Sequence, residues 1–370
     1  VTPTTAARAR PRDDEATRKL NRDITTTLDA FLSRKRAQFA PLGPDLSPLF
    51  DLAKSAVAGG KRLRPAFAFW GWRAAGGSAN DTDAITTAAA AIELVHASAL
   101  VHDDVIDDSA TRRGRDSAQR QFAALITGRT SSASSAQADQ FGSSAAILLG
   151  DLLLSWSDEL LGRSAFKPKV IARGRLYFDQ LRSEVVAGQY LDVLGQASGR
   201  NTAADAMRVV RYKSAKYTVE RPLQFGAALA KAGEPLLAGL SSYGVPLGEA
   251  FQLRDDVLGV FGEPDVTGKS SSDDIREGKR TLLLARAFDH ATAEQAAVLK
   301  AQVGNPAVDA DGIFAVQQVL RDTGALDNVE TVIAQLKAAA LAALAHAPIT
   351  DAGALDALRS LADRATDRSV

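Results

Sequence analysis

Cysteine is absent from the 370 residues, which excludes disulfides and thiolate metal sites and fits a reducing, cytoplasmic setting. Histidine is scarce, at 4 residues, and leaves little room for a histidine-rich metal centre. Net charge is missing as well: 44 Lys and Arg balance 44 Asp and Glu. No overall field therefore favours nucleic acid or an anionic lipid surface, and any charge-based function must come from local clusters. No apolar run approaches the roughly 20 residues of a transmembrane segment; the best, Ala145 to Leu154, is cut by Gly150 and Asp151. GxGxxG and Walker-type loops are lacking, and so is a repeat of fixed period. Residues 1–16, rich in Thr, Ala, Arg and Pro, lack the apolar stretch of a secretory signal, and Asp13, Asp14 and Glu15 count against a transit peptide. They are expected to form a frayed tail before one domain over 17–370.

What is present is mostly helical in pattern. Hydrophobic residues make up 46% of the chain, an ordinary globular share. Alanine and leucine abound, and apolar spacings follow three or four residues rather than two. Thr17–Phe39, Asp83–Asp108, Asp139–Leu161, Lys167–Leu194 and Leu236–Phe261 read as helices. A Ser-rich loop is expected over Thr127–Ala138, and a flap rich in Gly, Ser, Asp and Lys over Gly262–Lys279. Pro222 should kink a helix or mark its restart. The fold class is all-α, with long helices packed around a central one.

Three clusters carry possible chemistry. Asp103, Asp104, Asp107 and Asp108 end an apolar helix. Asp103 and Asp107 stack one turn apart, and like charges at such spacings repel by about 0.2–0.5 kcal/mol per pair. Oxygen-only ligands favour a hard cation such as magnesium, completed by substrate phosphates. Alone, this would read equally well as a solvated acidic helix end. A second pair, Asp255 and Asp256, again follows an apolar helical stretch, Phe251-Gln252-Leu253. Two such helices face to face would make a split magnesium site. The third cluster is basic: Gly59-Gly60-Lys61-Arg62-Leu63-Arg64-Pro65. Its glycines allow close backbone approach, while Lys61 and Arg64 suit a phosphate. Beside two acidic clusters it suggests a metal-free diphosphate pocket next to a metal-bound one.

In order along the chain stand the GGKRxRP turn, the first Asp-rich motif with Arg112-Arg113-Gly114, Gln189 with Asp192, Lys213-Ser214, and the second Asp pair with its Gly268-Lys269 loop. In this the sequence resembles the trans-isoprenyl diphosphate synthases, the polyprenyl synthetase family, from about Gly59 to Lys279. The resemblance implies one large bundle of long antiparallel helices around a central cavity, usually homodimeric. It implies several magnesium ions as cofactor, with isopentenyl diphosphate and an allylic diphosphate as substrates. Residue by residue, Lys61, Arg64, His96 and Arg113 resemble the isopentenyl diphosphate pocket. Asp103, Asp107 and Asp255 resemble direct magnesium ligands, with Asp104, Gln189, Asp256 and Asp274 nearby or acting through water. Arg112, Lys213 and Lys269 resemble the cations on the allylic diphosphate. Ser214 keeps the hydroxyl of the usual threonine, Gln252 falls near the reacting end, and Lys279 near the closing flap.

Duller readings stand beside these. His96 on an apolar face also suits a core histidine, Gln189 could bridge buried helices, and Phe251 is expected in the core. The chain also departs from the family. Gly259 replaces the last aspartate of the second motif, and the tail Asp367-Arg368-Ser369-Val370 lacks a basic cluster. Ser98 and Ala99 lie about 6–7.5 Å below Asp103 at helical rise; both are small, so a growing chain should pass and geranylgeranyl diphosphate is the expected product, with farnesyl diphosphate as intermediate. A longer-chain polyprenyl synthase is the nearest alternative. A class I terpene cyclase would not need Lys61, Arg64 and Arg113, and a non-catalytic partner subunit would not need both acidic motifs.

Overall fold

The computed structural model describes residues 13–129, 134–199, 202–262 and 273–367. The helices leading to the second acidic motif are α1 (Asp13–Phe39), α2 (Ser47–Ala56), α3 (Leu63–Ala74), α4 (Thr82–Ile106), α5 (Ala118–Arg129), α6 (Ser135–Gly162), α7 (Pro168–Ser198), α8 (Ala203–Val209), α9 (Arg221–Leu229) and α10 (Glu234–Phe261). A π-helix, Val210–Glu220, joins α8 to α9. Beyond α10 come Asp273–Arg276, Leu282–His290, Ala293–Gln302, Ala310–Asp322, Ala325–His346 and Ala352–Thr366. Among the described residues the only strands are the two-residue partners Thr111–Arg112 and Arg115–Asp116. The fold is all-α, as the spacing of apolar residues implied.

Helix α4 is central because it is apolar nearly all round. Ile85, Ala88, Ala89, Ala90, Ala91, Ile92 and Leu94 are all 0% exposed, with α1, α3 and α6 packed against them. Burying each of the larger side chains contributes about 1.5–3 kcal/mol. The expectation that no segment could cross a membrane needs correction. By length and composition, α4 with the turn before it qualifies, and so does Ala325–His346. The α4 window is 78% buried inside the protein, as a core helix should be, against 22% for the second. That second helix buries Val329, Ile333, Ala340 and Leu344 and exposes Ala334, Ala338, Ala342 and Ala345. Small exposed alanines raise its hydropathy without making a large apolar face.

Other boundaries moved for local reasons. Helix α1 begins at Asp13, inside the stretch expected as a tail. The Ser-rich loop is shorter than expected, because α5 runs to Arg129 and α6 starts at Ser135. Ser134 accepts from the Gln137 backbone while the Gln137 side chain accepts from the Ser134 backbone, a capping box that starts a helix inside a serine run. Pro222 stands in the first turn of α9, where it marks a restart. Pro246 is carried inside α10. Of the expected flap, 273–276 is a short helix and 263–272 lies outside the described residues.

Candidate active site

Carboxylates from α4 and α10 and cations from α3 and the π-helix meet in one cavity of about 690 Å³, within the range of small-molecule sites. Its lining includes Asp103 on α4, Asp255 and Asp256 on α10, Lys61 and Arg64 at the start of α3, and Lys213 and Ser214 on the π-helix. His96, Ala99, Arg112, Gln189, Gln252, Asp274 and Lys279 line it too. The clusters named from the sequence are thus brought together, with exceptions. Ser98 is buried and is not among the lining residues, whereas Ala99 is. Asp104 and Arg113 line a smaller neighbouring cavity of about 260 Å³, which shares Leu100 and Arg112 with the larger one. Asp107 forms the C-cap of α4, one turn beyond Asp103. Phe251, expected in the core, packs on it and also lines the cavity. Lys269 lies outside the described residues.

On the acidic side, Asp103 accepts from Gln189 Nε2 at 3.0 Å and from Lys213 Nζ at 3.4 Å. Arg112 reaches Asp103 at 3.4 Å and, through Nε, Asp104 at 2.8 Å. Gln189 therefore both bridges α7 to α4 and touches an acidic residue of the site. Burial alone would raise the Asp103 carboxyl, but Lys213 and Arg112 outweigh it and hold the group below the usual range. The opposite holds where cations are farther away. Burial, with the Asp103 charge, pushes Asp107 up to about 6. Burial pushes Asp256 up to about 7 against its hydrogen bond from Gln252, 2.8 Å long, with Asp274 and Asp255 adding to the rise. Lys279 pairs with Asp274, and that partner raises its pKa although burial opposes it.

The π-helix aims the cations. Lys213 also pairs with Asp192 at 2.6 Å, and its backbone lies so close to α7 that a Cβ on Gly188 would overlap it. Tyr217, one turn further on, carries Arg64 over its ring at 4.4 Å, while Thr218 accepts from Arg64 Nη2 at 2.9 Å. Arg64 Nε is buried without a hydrogen-bond partner, a donor left for a ligand. The Tyr217 hydroxyl lies 3.3 Å from His96 Nδ1. Burial first, then Arg64 and Arg113, keep His96 well below its ordinary pKa. Tyr217 and Thr218 were missed from the sequence. The four-residue step from Lys213 to Tyr217 was the available signal.

Among the described residues, no three acidic or histidine side chains are close enough to hold a metal ion by themselves. Magnesium rarely relies on an all-protein cage; it takes one or two carboxylates and completes its shell with phosphate and water. Carboxylates split between α4 and α10, with Asp107 and Asp256 raised by burial and by neighbouring carboxylates, fit that donor set.

Comparison with known proteins gives the same direction. The polyprenyl synthetase family model matches residues 47–320. A geranylfarnesyl diphosphate synthase of Aeropyrum pernix is 30% identical over 314 residues, covering 84% of this chain and 91% of that protein. An octaprenyl diphosphate synthase of Escherichia coli is 32% identical over 249 residues, covering 66% of this chain and 67% of that one. Among solved structures, geranylgeranyl pyrophosphate synthase from Corynebacterium glutamicum, complexed with isoprenyl diphosphate and magnesium, superposes with a TM-score of 0.90 at 37% identity, covering 95% of this chain and 99% of that one.

Proposed function

The chain belongs to the polyprenyl synthetase family, and from that premise we propose that it condenses isopentenyl diphosphate with allylic diphosphates, with geranylgeranyl diphosphate as main product and farnesyl diphosphate on the way. The observation that carries this reading is a single cavity lined by Asp103, Asp255, Lys61 and Arg64. It offers one acidic wall for a metal-bound diphosphate and one cationic wall for a metal-free one.

Bound magnesium, held by Asp103, Asp107 and Asp255 with Asp104, Gln189, Asp256 and Asp274 in support, would supply positive charge at the departing diphosphate. Arg112 and Lys213 add preorganised donors to the same oxygens, with Lys269 expected beside them. As the allylic carbon–oxygen bond breaks, Val185, Leu100 and Phe251 in the cavity wall keep water from the carbocation. Lys61, Arg64 and Arg113 hold isopentenyl diphosphate while its double bond attacks the cation. The new carbon–carbon bond leaves a tertiary cation, which returns to an allylic product by losing a proton to the released diphosphate. No side chain is required as the base.

Ala99 in the lining favours a C20 product, because a small side chain leaves the path below Asp103 open. Longer-chain synthesis is the second reading, since relatives of similar identity include an octaprenyl diphosphate synthase. A cytoplasmic homodimer completes the proposal. Leu148 on α6 is 64% exposed, and Val186 and Tyr190 on α7 are 64% and 66% exposed, large apolar side chains that a second copy could cover. The purified chain, given isopentenyl diphosphate, magnesium and dimethylallyl, geranyl or farnesyl diphosphate in turn, should yield geranylgeranyl diphosphate on chromatography. Absence of any product dependent on isopentenyl diphosphate would defeat the reading.

A further inference from the structure

Two buried charges take no part in this scheme. Arg62 and Glu93 are 5% and 6% exposed and form an ion pair beneath the cationic wall. Arg62 also donates through Nη2 to the Val57 carbonyl at 2.6 Å. Its backbone is left-handed, with φ 50°, one residue removed from the pair Gly59, at 68°, and Gly60, at 84°. A residue with a Cβ holds that conformation only where its surroundings impose it. Here the tether from Arg62 to Glu93 on α4 imposes it. Lys61 and Arg64 flank Arg62, so the tether sets where both cations point. Arg113 grips the same turn from the other side, donating to the Ala58 carbonyl at 2.6 Å.

We propose that Arg62 and Glu93 are positioning residues for the metal-free diphosphate anchor: the buried pair locks the 57–62 turn so that Lys61 and Arg64 stay aimed into the cavity. A buried ion pair is a weak source of stability but a good device for fixing one geometry, because either charge alone is costly. Glu93 stands three residues before His96 on α4, and its charge reaches Arg113 and Tyr217. It therefore also offsets the mutual repulsion of the cations it holds in place. The inference rests on the reading of this wall as the isopentenyl diphosphate pocket.

The test measures binding of isopentenyl diphosphate by calorimetry in EDTA, and KM for both substrates with magnesium, in Glu93→Gln and Arg62→Gly. Glycine suits the left-handed backbone, so Arg62→Gly removes the tether without adding strain. The expected result is weaker isopentenyl diphosphate binding and higher KM, on the order of tenfold, since misplacement by about 1 Å can cost up to about a hundredfold. KM for the allylic substrate should stay within about twofold of wild type. If Glu93→Gln does not fold, the double variant Arg62→Gly/Glu93→Gln, with neither charge buried, is measured instead. Folded variants that bind isopentenyl diphosphate as wild type does would overturn the proposal. So would a kcat loss with both KM values unchanged, or loss of folding in every variant, each of which marks a purely structural pair. A wild-type chain that neither binds isopentenyl diphosphate in EDTA nor consumes it would instead overturn the underlying reading, and this one with it.

Discussion

The Asp274 carboxylate fills the space that a side chain at Gly259 would need, for a Cβ there would collide with Asp274 Oδ2. From the sequence, Gly259 is a lost carboxylate of the second acidic motif. In the fold it is clearance. It lets a carboxylate from the short helix Asp273–Arg276 stand beside Asp255 and Asp256, in one cavity with them and paired to Lys279.

Gly259→Ala should therefore push Asp274 away from α10 and separate it from its place beside Asp256. Loss of a supporting group near a metal typically costs about 10–100-fold in affinity or activity. The magnesium concentration for half-maximal activity should rise by about tenfold or more. Gly259→Asp should do no better, although it restores the family's usual residue, because the larger side chain meets the same obstacle. Unchanged magnesium dependence in both variants would refute the exchange of one carboxylate for another.

Asp103 accepts from Gln189 and Lys213 and pairs with Arg112, so it organises three elements as well as facing the cavity. Asp103→Ala should lower kcat by about 10³-fold or more, the scale seen when preorganised charge stabilisation is removed. Helical circular dichroism should be unaltered, since Asp103 contributes no core packing. Near-normal turnover in a correctly folded variant would contradict its role.

How far the site could be read from the sequence depended on how far each residue acts along its own helix. Asp103 and Asp107 were legible because one turn of α4 brings them to one face, while Asp255 and Lys213 were legible through the family's motif order. The roles of Arg62 and Glu93 were not, since a left-handed turn and a buried pair joining α3 to α4 leave no periodic trace. Tyr217 and Thr218 went unread despite the four-residue step from Lys213, because their part is to hold Arg64 of another helix, a contact that no spacing within one helix records. Adjacent residues also part company. Arg112 reaches the acidic wall while Arg113, itself left-handed at φ 54°, turns back to the Ala58 carbonyl.

The same rotation separates Ser98 from Ala99. Ala99 lies one turn below Asp103 and lines the cavity, whereas Ser98, about 100° further round, is buried in the packing between helices. Ala99→Phe should thus shorten the product to farnesyl or geranyl diphosphate. Ser98→Phe should instead overpack the interior, costing about 1–3 kcal/mol of stability with product length retained. Product chromatography and thermal melts of the two variants separate these outcomes. A shortened product from Ser98→Phe alone would mean the floor of the cavity lies on that side of α4.

Asp256 gives a pH dependence whose sign can be worked out. Burial, with Asp274 and Asp255, raises its folded pKa to about 7 despite the Gln252 hydrogen bond, against about 3.9 when unfolded. Its contribution to stability is then full below about pH 4 and is lost as pH rises through about 7. Asp107, raised to about 6 chiefly by burial and Asp103, acts in the same direction. Asp103, held low, acts in the opposite sense, but only in acid below its unfolded pKa, so it does not mask the effect between about pH 5 and 8. Removing the titrating group by Asp256→Asn should make the metal-free protein gain on wild type as pH rises across that window, by about 2.5 kcal/mol at most. Melting both proteins in EDTA at intervals between those limits checks this. A difference in melting temperature that does not grow with pH would show that Asp256 is already ionised in the folded chain without magnesium.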